Sequence, residues 1–367
     1  MTLYDINIYV TQYYIKSINE IINKYNLEND IFKNKKLIIN IYKKFEYDMI
    51  QKYNIIIKMK NNYTIDILKL MLINKIYINF FKNYNILGYK NILKNNDYLY
   101  PYTFYFNNYN IDIIKNNISI YNEKFKNNKI NKQFGNELWI VKDNIGARGI
   151  NTNIYTFDEL LTLNKNNIII QKYLEYPYLV DNKKHDIRVH LIIIPKIIKI
   201  NNKYELKYKN NKLQLHYYLH NVILGKFCYN NYDKNDKNLI THLTNQYIQG
   251  YEKYNNYIFY DNDIYDLIKK KLLKFIFQNN IQDIIYNCID DYPYFYQIIA
   301  FDILITQDKK DIFIIDVNTN PGLSYDDILK TKLMNLTLQR VIRSIYKLKY
   351  NLKIKINNNF NYKFDKL

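Results

Sequence analysis

Three oxygen-bearing side chains stand where two apolar runs should not want them. Asp302 interrupts Ile298–Ile305, and Asp316 and Asn318 close Ile312–Val317. A spacing of two puts Asp316 and Asn318 on one face of a strand. Three such groups converging from neighbouring strands suit a hard, octahedral cation such as Mg²⁺, which also takes oxygens from water and from a nucleotide's phosphates. The same spacing describes a strand pair whose acids mark solvated ends.

Four segments upstream carry further candidates. Trp139-Ile-Val-Lys142 runs into Asp-Asn-Ile-Gly146-Ala-Arg148-Gly149, a strand delivering a lysine into a short glycine-bearing loop. Lys142 offers a point charge to phosphate, and the glycines let backbone N–H groups approach phosphate oxygens. This is not the GxxxxGK[ST] phosphate loop, and alone it reads more readily as a hairpin with an exposed lysine. Ile168-Ile-Ile-Gln171-Lys172-Tyr173-Leu174-Glu175 is an apolar strand with a polar end. Its backbone can meet an adenine edge with Lys172 nearby, although a core strand leaving its sheet gives the same pattern. In Lys184-His185-Asp186-Ile187-Arg188-Val189, Asp186 and Arg188 share a face. An arginine on an apolar strand needs a partner, either Asp186 or a bound anion. Thr241-His242-Leu243-Thr244-Asn245-Gln246 is a polar cluster that also reads as a helix cap. No histidine stands at ligand spacing from a cysteine or another histidine, which argues against zinc.

The chain that must position these residues is saturated with Asn, Lys, Ile and Tyr, as an A+T-rich coding sequence produces, so the uncommon residues are the informative ones. Its only tryptophan, two of its four arginines and Pro321-Gly322 fall between 139 and 322, among the candidate segments. A length of 367 residues, 48% of them hydrophobic, allows a substantial core and two or three subdomains. The formal charge of +19 favours polyanionic partners. Its lysines are dispersed and accompany no nucleic-acid-binding signature, so no nucleic-acid partner is expected. Cys228 and Cys288 fit neither a disulfide scaffold nor a CxxC site and read as reduced thiols of an intracellular protein. There is no leader pattern at the N-terminus and no apolar run of membrane-spanning length, so a soluble protein without a membrane partner is expected.

The pattern predicts an α+β chain. Residues 1–60 read as helical from the spacing of Ile15, Ile18, Ile21 and Ile22, and 64–95 as a helix pair with Gly88 as the stop between its helices. Tyr100 to Phe104 is extended, and 107–135 is a linker or surface helix. Strands are predicted at 138–142, 168–174, 187–194, 298–305 and 312–317, with helices at 156–163, 262–279 and 326–347. The Asn-rich spans 200–213 and 229–238 read as loop insertions, and 349–367 as a polar tail. The domain division is 1–130, 131–348 and 349–367.

In order, the segments read WIVK–GARG, QKYLE, KHDIRV, HLTN, AFD and DVNTNPG. That series resembles the tubulin tyrosine ligase-like family of ATP-grasp enzymes over about 70 to 335, with Leu72–Lys75 and Tyr100–Phe104 as weaker early counterparts. The resemblance implies an ATP-grasp fold after a helical N-terminal region. It also implies an ATP- and Mg²⁺-dependent ligase, active through an acyl-phosphate on the acidic C-terminal tail of tubulin. Lys142 and Lys172 would bind phosphates or the adenine side, with Arg148 and Gly149 in the phosphate loop and Lys75 reaching in from upstream. Gln171, Lys172, Tyr173 and Leu174 would form the adenine hinge. Lys184 and Asp186 would hold ribose or phosphate, and Thr244 and Asn245 would line the nucleotide and substrate side. Arg188 would face the γ-phosphate and Lys226 the incoming amino acid, while Asp302, Asp316 and Asn318 would bind Mg²⁺. The implied protein is a cytoplasmic, cytoskeleton-associated monomer that takes tubulin or microtubules and a free amino acid. Glutamate is the narrow choice, tyrosine the second.

Four residues depart from the family pattern. Asp316 replaces a glutamate, Asn151 a glycine, His185 a phenylalanine and Lys226 an arginine. Asn tolerates positive φ, whereas Lys cannot form an arginine's two-pronged carboxylate fork. A microtubule-binding relative without catalysis is the alternative these departures raise.

Overall fold

A computed structural model describes residues 2–10, 35–42, 55–57, 73, 75–78, 88, 90, 99–107, 110–125, 133–135, 137–144, 149–250, 256–278, 293–319, 321, 333, 336, 337, 340–345, 347, 348, 351 and 364–366. It is a mixed α+β structure, dominated by antiparallel sheet apart from one parallel sheet at the N-terminus.

The helical expectation for residues 1–60 is corrected at every described position. Thr2–Val10 (β1), Lys35–Tyr42 (β2) and Ile55–Ile57 (β3) are parallel strands. Apolar Leu3, Ile6, Ile8 and Val10 alternate with polar residues over part of β1, and β2 carries a β-branched run, both better served by a strand. Ile15, Ile18, Ile21 and Ile22 lie outside the described residues. Tyr77–Ile78 (β4) joins the same sheet, so the helix expected over 64–95 does not hold there.

A second sheet builds one wall of the site. Thr103–Phe106 (β5), Leu138–Asp143 (β6), Asn153–Thr156 (β7) and Ile168–Lys172 (β8) pair antiparallel in the order β5-β8-β6-β7. Ile111–Phe125 (α1) covers it, burying Ile114, Ile118 and Tyr121 at helical spacing in the cluster that holds Phe104 and Trp139. Asn110 Oδ1 starts the helix by accepting the Asp112 amide at 2.9 Å. The short helix Phe157–Leu161 (α2) begins with a reciprocal Thr156–Glu159 capping box.

The large sheet is organised on Lys183–Pro195 (β10). Leu215–His220 (β15) and Ile223–Phe227 (β16) share one of its edges, and Gln297–Ile305 (β18) takes the other. Leu179–Val180 (β9) pairs with the start of β10, Ile312–Asn318 (β19) with β18 and Asn256–Phe259 (β17) with β16. Along β10 the odd positions Ile187, Val189, Leu191 and Ile193 enter the main core. There they meet Ile264, Ile268, Leu272 and Phe275 of the helix Asn262–Gln278 (α3). Each side chain so buried contributes roughly 1.5–3 kcal/mol. The even positions Lys184, Asp186 and Arg188 therefore point to the opposite face, where the site lies.

Two more expectations are corrected. The span 200–213 carries strands, with Ile197–Ile200 (β11) pairing Lys203–Leu206 (β12) and Tyr208–Lys209 (β13) pairing Lys212–Leu213 (β14). Asn201, Asn202, Asn210 and Asn211 all have positive φ, so their abundance marks tight hairpin turns. In the tail, Phe364–Lys366 pairs with β15.

Candidate active site

The second sheet and the large sheet face each other across a cleft. From the first side come Lys142 on β6 and Gln171 on β8, adjacent because Ile140 pairs with Gln171 and Lys142 with Ile169. Lys142 Nζ donates to Gln171 Oε1 at 2.9 Å and to the Ile315 carbonyl of β19 at 3.2 Å, joining the two walls. Gln171 Nε2 is held in turn by Thr103 Oγ1 at 2.9 Å. Removal from water pushes Lys142 down to about 8, against the pull of Asp316. Tyr173 and Leu174 line the cleft as the chain leaves β8.

Lys172 differs. It borders the cleft, but its ammonium is fully buried, donating to the Leu138 carbonyl at 2.7 Å and to Glu175 at 3.1 Å. Glu175 also accepts the Glu137 and Leu138 amides, each at 2.8 Å. The Lys172 side chain is thus spent on the fold.

The loop after β6 is described from Gly149 onward; Gly146 and Arg148 lie outside the described residues. Gly149 has φ +75°, and a Cβ there would come within 3.2 Å of Asn245 Oδ1, so loop and Asn245 meet closely. Asn151 adopts φ 57°, the conformation its missing glycine would have served, and donates to Asp143 at 2.8 Å. His185 fills its aromatic position as a ring, packed among Tyr178, Phe227, Tyr257 and Phe259. Burial pushes it down to about 4, so it packs uncharged.

The large sheet supplies a row of charges. Lys226 on β16 stands opposite Asp186 on β10, Arg188 opposite Asp302 on β18, and Asp302 opposite Asp316 on β19. Arg188 grips both Asp302 oxygens at 2.7 Å, so its carboxylate partner is Asp302, where Asp186 or an anion was expected. Lys226 Nζ bridges Asp186 at 2.6 Å and Asp302 at 3.1 Å. Asn318 Nδ2 reaches Asp302 at 3.4 Å, and Thr244 donates to Asp186. Burial opposes ionisation of Asp302, but the charges of Arg188 and Lys226 prevail and hold it below the usual carboxylate range. Burial raises Asp186, with Lys226 opposing.

Lys184 lies next in line on β10. Its Nζ donates to Tyr173 Oη at 2.6 Å, and that hydroxyl meets His242 Nδ1 at 2.8 Å. His242 Nε2 contacts the Asp236 carbonyl, which can only accept, so Nε2 carries the proton and Nδ1 accepts from Tyr173. Burial pushes Lys184 down to about 8.

Ten of the residues proposed for the nucleotide border one cleft: Lys142, Gly149, Gln171, Lys172, Tyr173, Leu174, Lys184, Asp186, Thr244 and Asn245. Asp302 and Asp316 border it too, and Arg188, Lys226 and Asn318 join through Asp302. Lys75 is exposed in a turn and does not border it. Sequence reasoning passed over Lys90, which lines the cleft and is 8% exposed. In a lysine-saturated chain nothing marked it except its place two residues after Gly88.

For a cation, two carboxylates and an amide oxygen offer hard ligands. No group of three or more His, Cys, Asp or Glu that could hold a metal occurs among the described residues. That donor set fits Mg²⁺ shared with phosphates, which needs only one or two carboxylates, and does not fit an all-protein cage.

Residues 58–197 match the tubulin-tyrosine ligase family. The resemblance carried by the motifs is thereby shown over that span, which takes in the segments of Lys142, Gln171, Lys184 and Arg188. No curated protein matches the chain. No helix among the described residues is long and apolar enough to cross a membrane.

Proposed function

We propose that this chain is an ATP- and Mg²⁺-dependent ligase joining an amino acid to a carboxylate of the acidic C-terminal tail of tubulin. The observation that carries the reading is the cleft itself. It sets two lysines, Lys142 and Lys184, both pushed down by burial, against the paired Asp302 and Asp316, within reach of the family-matched segment. Buried cations facing an acid pair suit a triphosphate shared with a divalent ion.

Lys142 and Lys184 hold phosphates, the backbone from Gln171 to Leu174 meets the adenine, and Asp302, Asp316 and Asn318 hold Mg²⁺. When bound, Mg²⁺ supplies charge neutralisation to the transferring phosphoryl group. An acceptor carboxylate oxygen bonds to the γ-phosphorus as the bond to ADP breaks. The amine of the incoming amino acid then bonds to the acyl carbon, releases phosphate and loses a proton. Arg188 shifts from Asp302 onto the phosphoryl oxygens, where its fork is matched. The positive charge of the chain steers it toward the acidic tail in the cytoplasm.

Glutamate is the amino acid we favour, with Lys226 receiving an acidic group. Lys226 already serves Asp186 and Asp302, so the incoming carboxylate must share its ammonium with them. Tyrosine is the second choice. A relative that binds microtubules without turnover is the reading favoured by that same locked lysine. Incubation with tubulin, Mg·ATP and each labelled amino acid separates the three: label from glutamate supports the choice, label from tyrosine alone overturns it, and no label favours the silent relative.

A further inference from the structure

Lys184 is buried without an ion pair. Its side chain leaves β10 on the face of the cleft, and the residue is 4% exposed. An ammonium has three N–H donors, and among the described residues only Tyr173 Oη accepts one of them, at 2.6 Å. Buried charges are ordinarily paired with an opposite charge. Asp186, two residues on and on the same face of the strand, is bridged to Lys226 and accepts from Thr244 instead.

A neutral hydroxyl can take the place of a carboxylate best when its own proton is given elsewhere. His242 Nδ1 accepts that proton at 2.8 Å, because the Nε2 proton is directed at the Asp236 carbonyl. Asp236 lies in the loop after β16 and is fixed there, its carboxylate accepting from Thr241 Oγ1 and from the Asn238 amide at 2.8 Å. Burial raises Tyr173 well above the usual phenol value, so its hydroxyl keeps its proton. Burial lowers His242, against the pull of the Asp236 carbonyl, so its ring stays neutral and Nδ1 stays open. A charged His242 would turn an N–H onto the Tyr173 oxygen and set a second cation beside Lys184. Every proton in the chain from Lys184 to Asp236 therefore has one place.

The chain is assembled from three parts of the molecule. Tyr173 follows β8 of the second sheet, Lys184 stands on β10 of the large sheet, and His242 ends the short helix Leu239–His242. The other groups whose charge reaches it are Asp186, Cys228 and Lys142 around the lysine, Tyr232 and Glu175 beside the phenol, and Asp233 beside the imidazole. None of them replaces the Tyr173 hydroxyl. Burial pushes the Cys228 thiol up to about 12, so it is uncharged, and Glu175 is bonded to Lys172.

We propose that Tyr173 and His242 are positioning residues for Lys184: the chain they form to the Asp236 carbonyl holds the ammonium on the cleft wall and leaves its other two N–H bonds for the anionic oxygens of the ligand. Neither the phenol nor the imidazole has to touch that ligand. The proposal rests on the ligase reading for the ligand's identity as a triphosphate.

A hydrogen bond accepted from the charged lysine favours its protonated form, so loss of the chain is read in the titration of Lys184 itself. The test follows acetylation of Lys184 in the full chain across pH by mass spectrometry, with Lys142 as internal control. Mg·ATP affinity is measured alongside by calorimetry at about pH 6 and about pH 8.5, below and above the usual working range of the two lysines. Tyr173→Phe keeps the ring and removes the acceptor. It should lower the Lys184 midpoint by about one pH unit and leave that of Lys142 in place. Mg·ATP affinity should then fall about tenfold at the higher pH and no more than about twofold at the lower, where Lys184 is charged in both proteins. His242→Phe should act in the same direction and more weakly, and His242→Asn, which offers an oxygen in place of Nδ1, should stay close to the wild type. An unmoved Lys184 midpoint in a folded Tyr173→Phe protein overturns the proposal. So does an affinity loss equal at the two pH values, the mark of a merely structural role. Failure of Mg·ATP to bind any of the proteins, with the Lys184 midpoint still lowered by Tyr173→Phe, sinks the ligase reading and supports the positioning chain.

Discussion

Two buried ionic groups sit on opposite walls of the cleft and are built differently. On the second sheet, Lys172 and Glu175 satisfy each other and are also bonded to the backbone at Glu137 and Leu138. On the large sheet, Arg188, Lys226, Asp186 and Asp302 depend mostly on one another, through side chains on three facing strands. A charge tied to the backbone can move only if the fold moves. Charges tied to other side chains can exchange partners when a phosphate or a cation enters. Buried ion pairs contribute little net stability of their own, so the second arrangement is the one to expect where binding occurs.

The largest expected effect lies in the exchangeable group. Asp302→Asn keeps the shape but removes the charge, and should reduce amino-acid incorporation by at least about 10²-fold with only a modest shift in melting temperature. Full activity in that variant would remove Asp302 from the metal site. Asp302→Ala is a poorer probe, since it leaves Arg188 and Lys226 facing each other.

The backbone-tied group should respond in the opposite way. Glu175→Ala leaves Lys172 buried and unpaired and should destabilise the protein by about 3–5 kcal/mol in denaturant unfolding. Gly135→Ala should act in the same direction, because a Cβ there would lie 2.3 Å from the Glu175 carboxyl. Nucleotide affinity of the folded fraction should not change. A stable Glu175→Ala protein that loses nucleotide binding would invert the comparison.

A pH profile sharpens it further. Burial pushes both Lys142 and Lys184 down to about 8, and phosphate contact raises their affinity for protons. Nucleotide binding should therefore be flat below pH 8, where both lysines are already charged, and weaken by up to about a hundredfold per unit above it. Affinity that stays flat to pH 9.5 would separate both lysines from the ligand. The smallest effect concerns the loop: Asn151→Gly should be neutral, and Asn151→Ala should cost about 1 kcal/mol through its left-handed φ.

Much of the large sheet was legible because its strands are long and their chemistry sits at fixed parity. Asp302, Asp316, Asp186 and Arg188 emerged as candidates from spacing alone. The partner of Arg188 did not, since it lies across a strand pairing that no local pattern encodes. The partners of the Lys172 ammonium were not legible either, because a lysine at a strand end has the same pattern whether it faces the cleft or a carboxylate three residues on. At the N-terminus, isoleucines dispersed among Asn and Lys offered both periods, and the helical one was read where strands form. The hairpins at 200–213 were hidden because Asn is so common here that its role in left-handed turns could not be distinguished.

Titration calorimetry of Mg·ATP into the full chain tests the central claim most directly. One binding event should appear in the wild type at pH 7. Lys142→Ala should weaken it by about tenfold or more while melting at the same temperature or higher, since the variant removes a buried charge. No heat at millimolar nucleotide, or equal binding by a well-folded Lys142→Ala protein, would contradict the account.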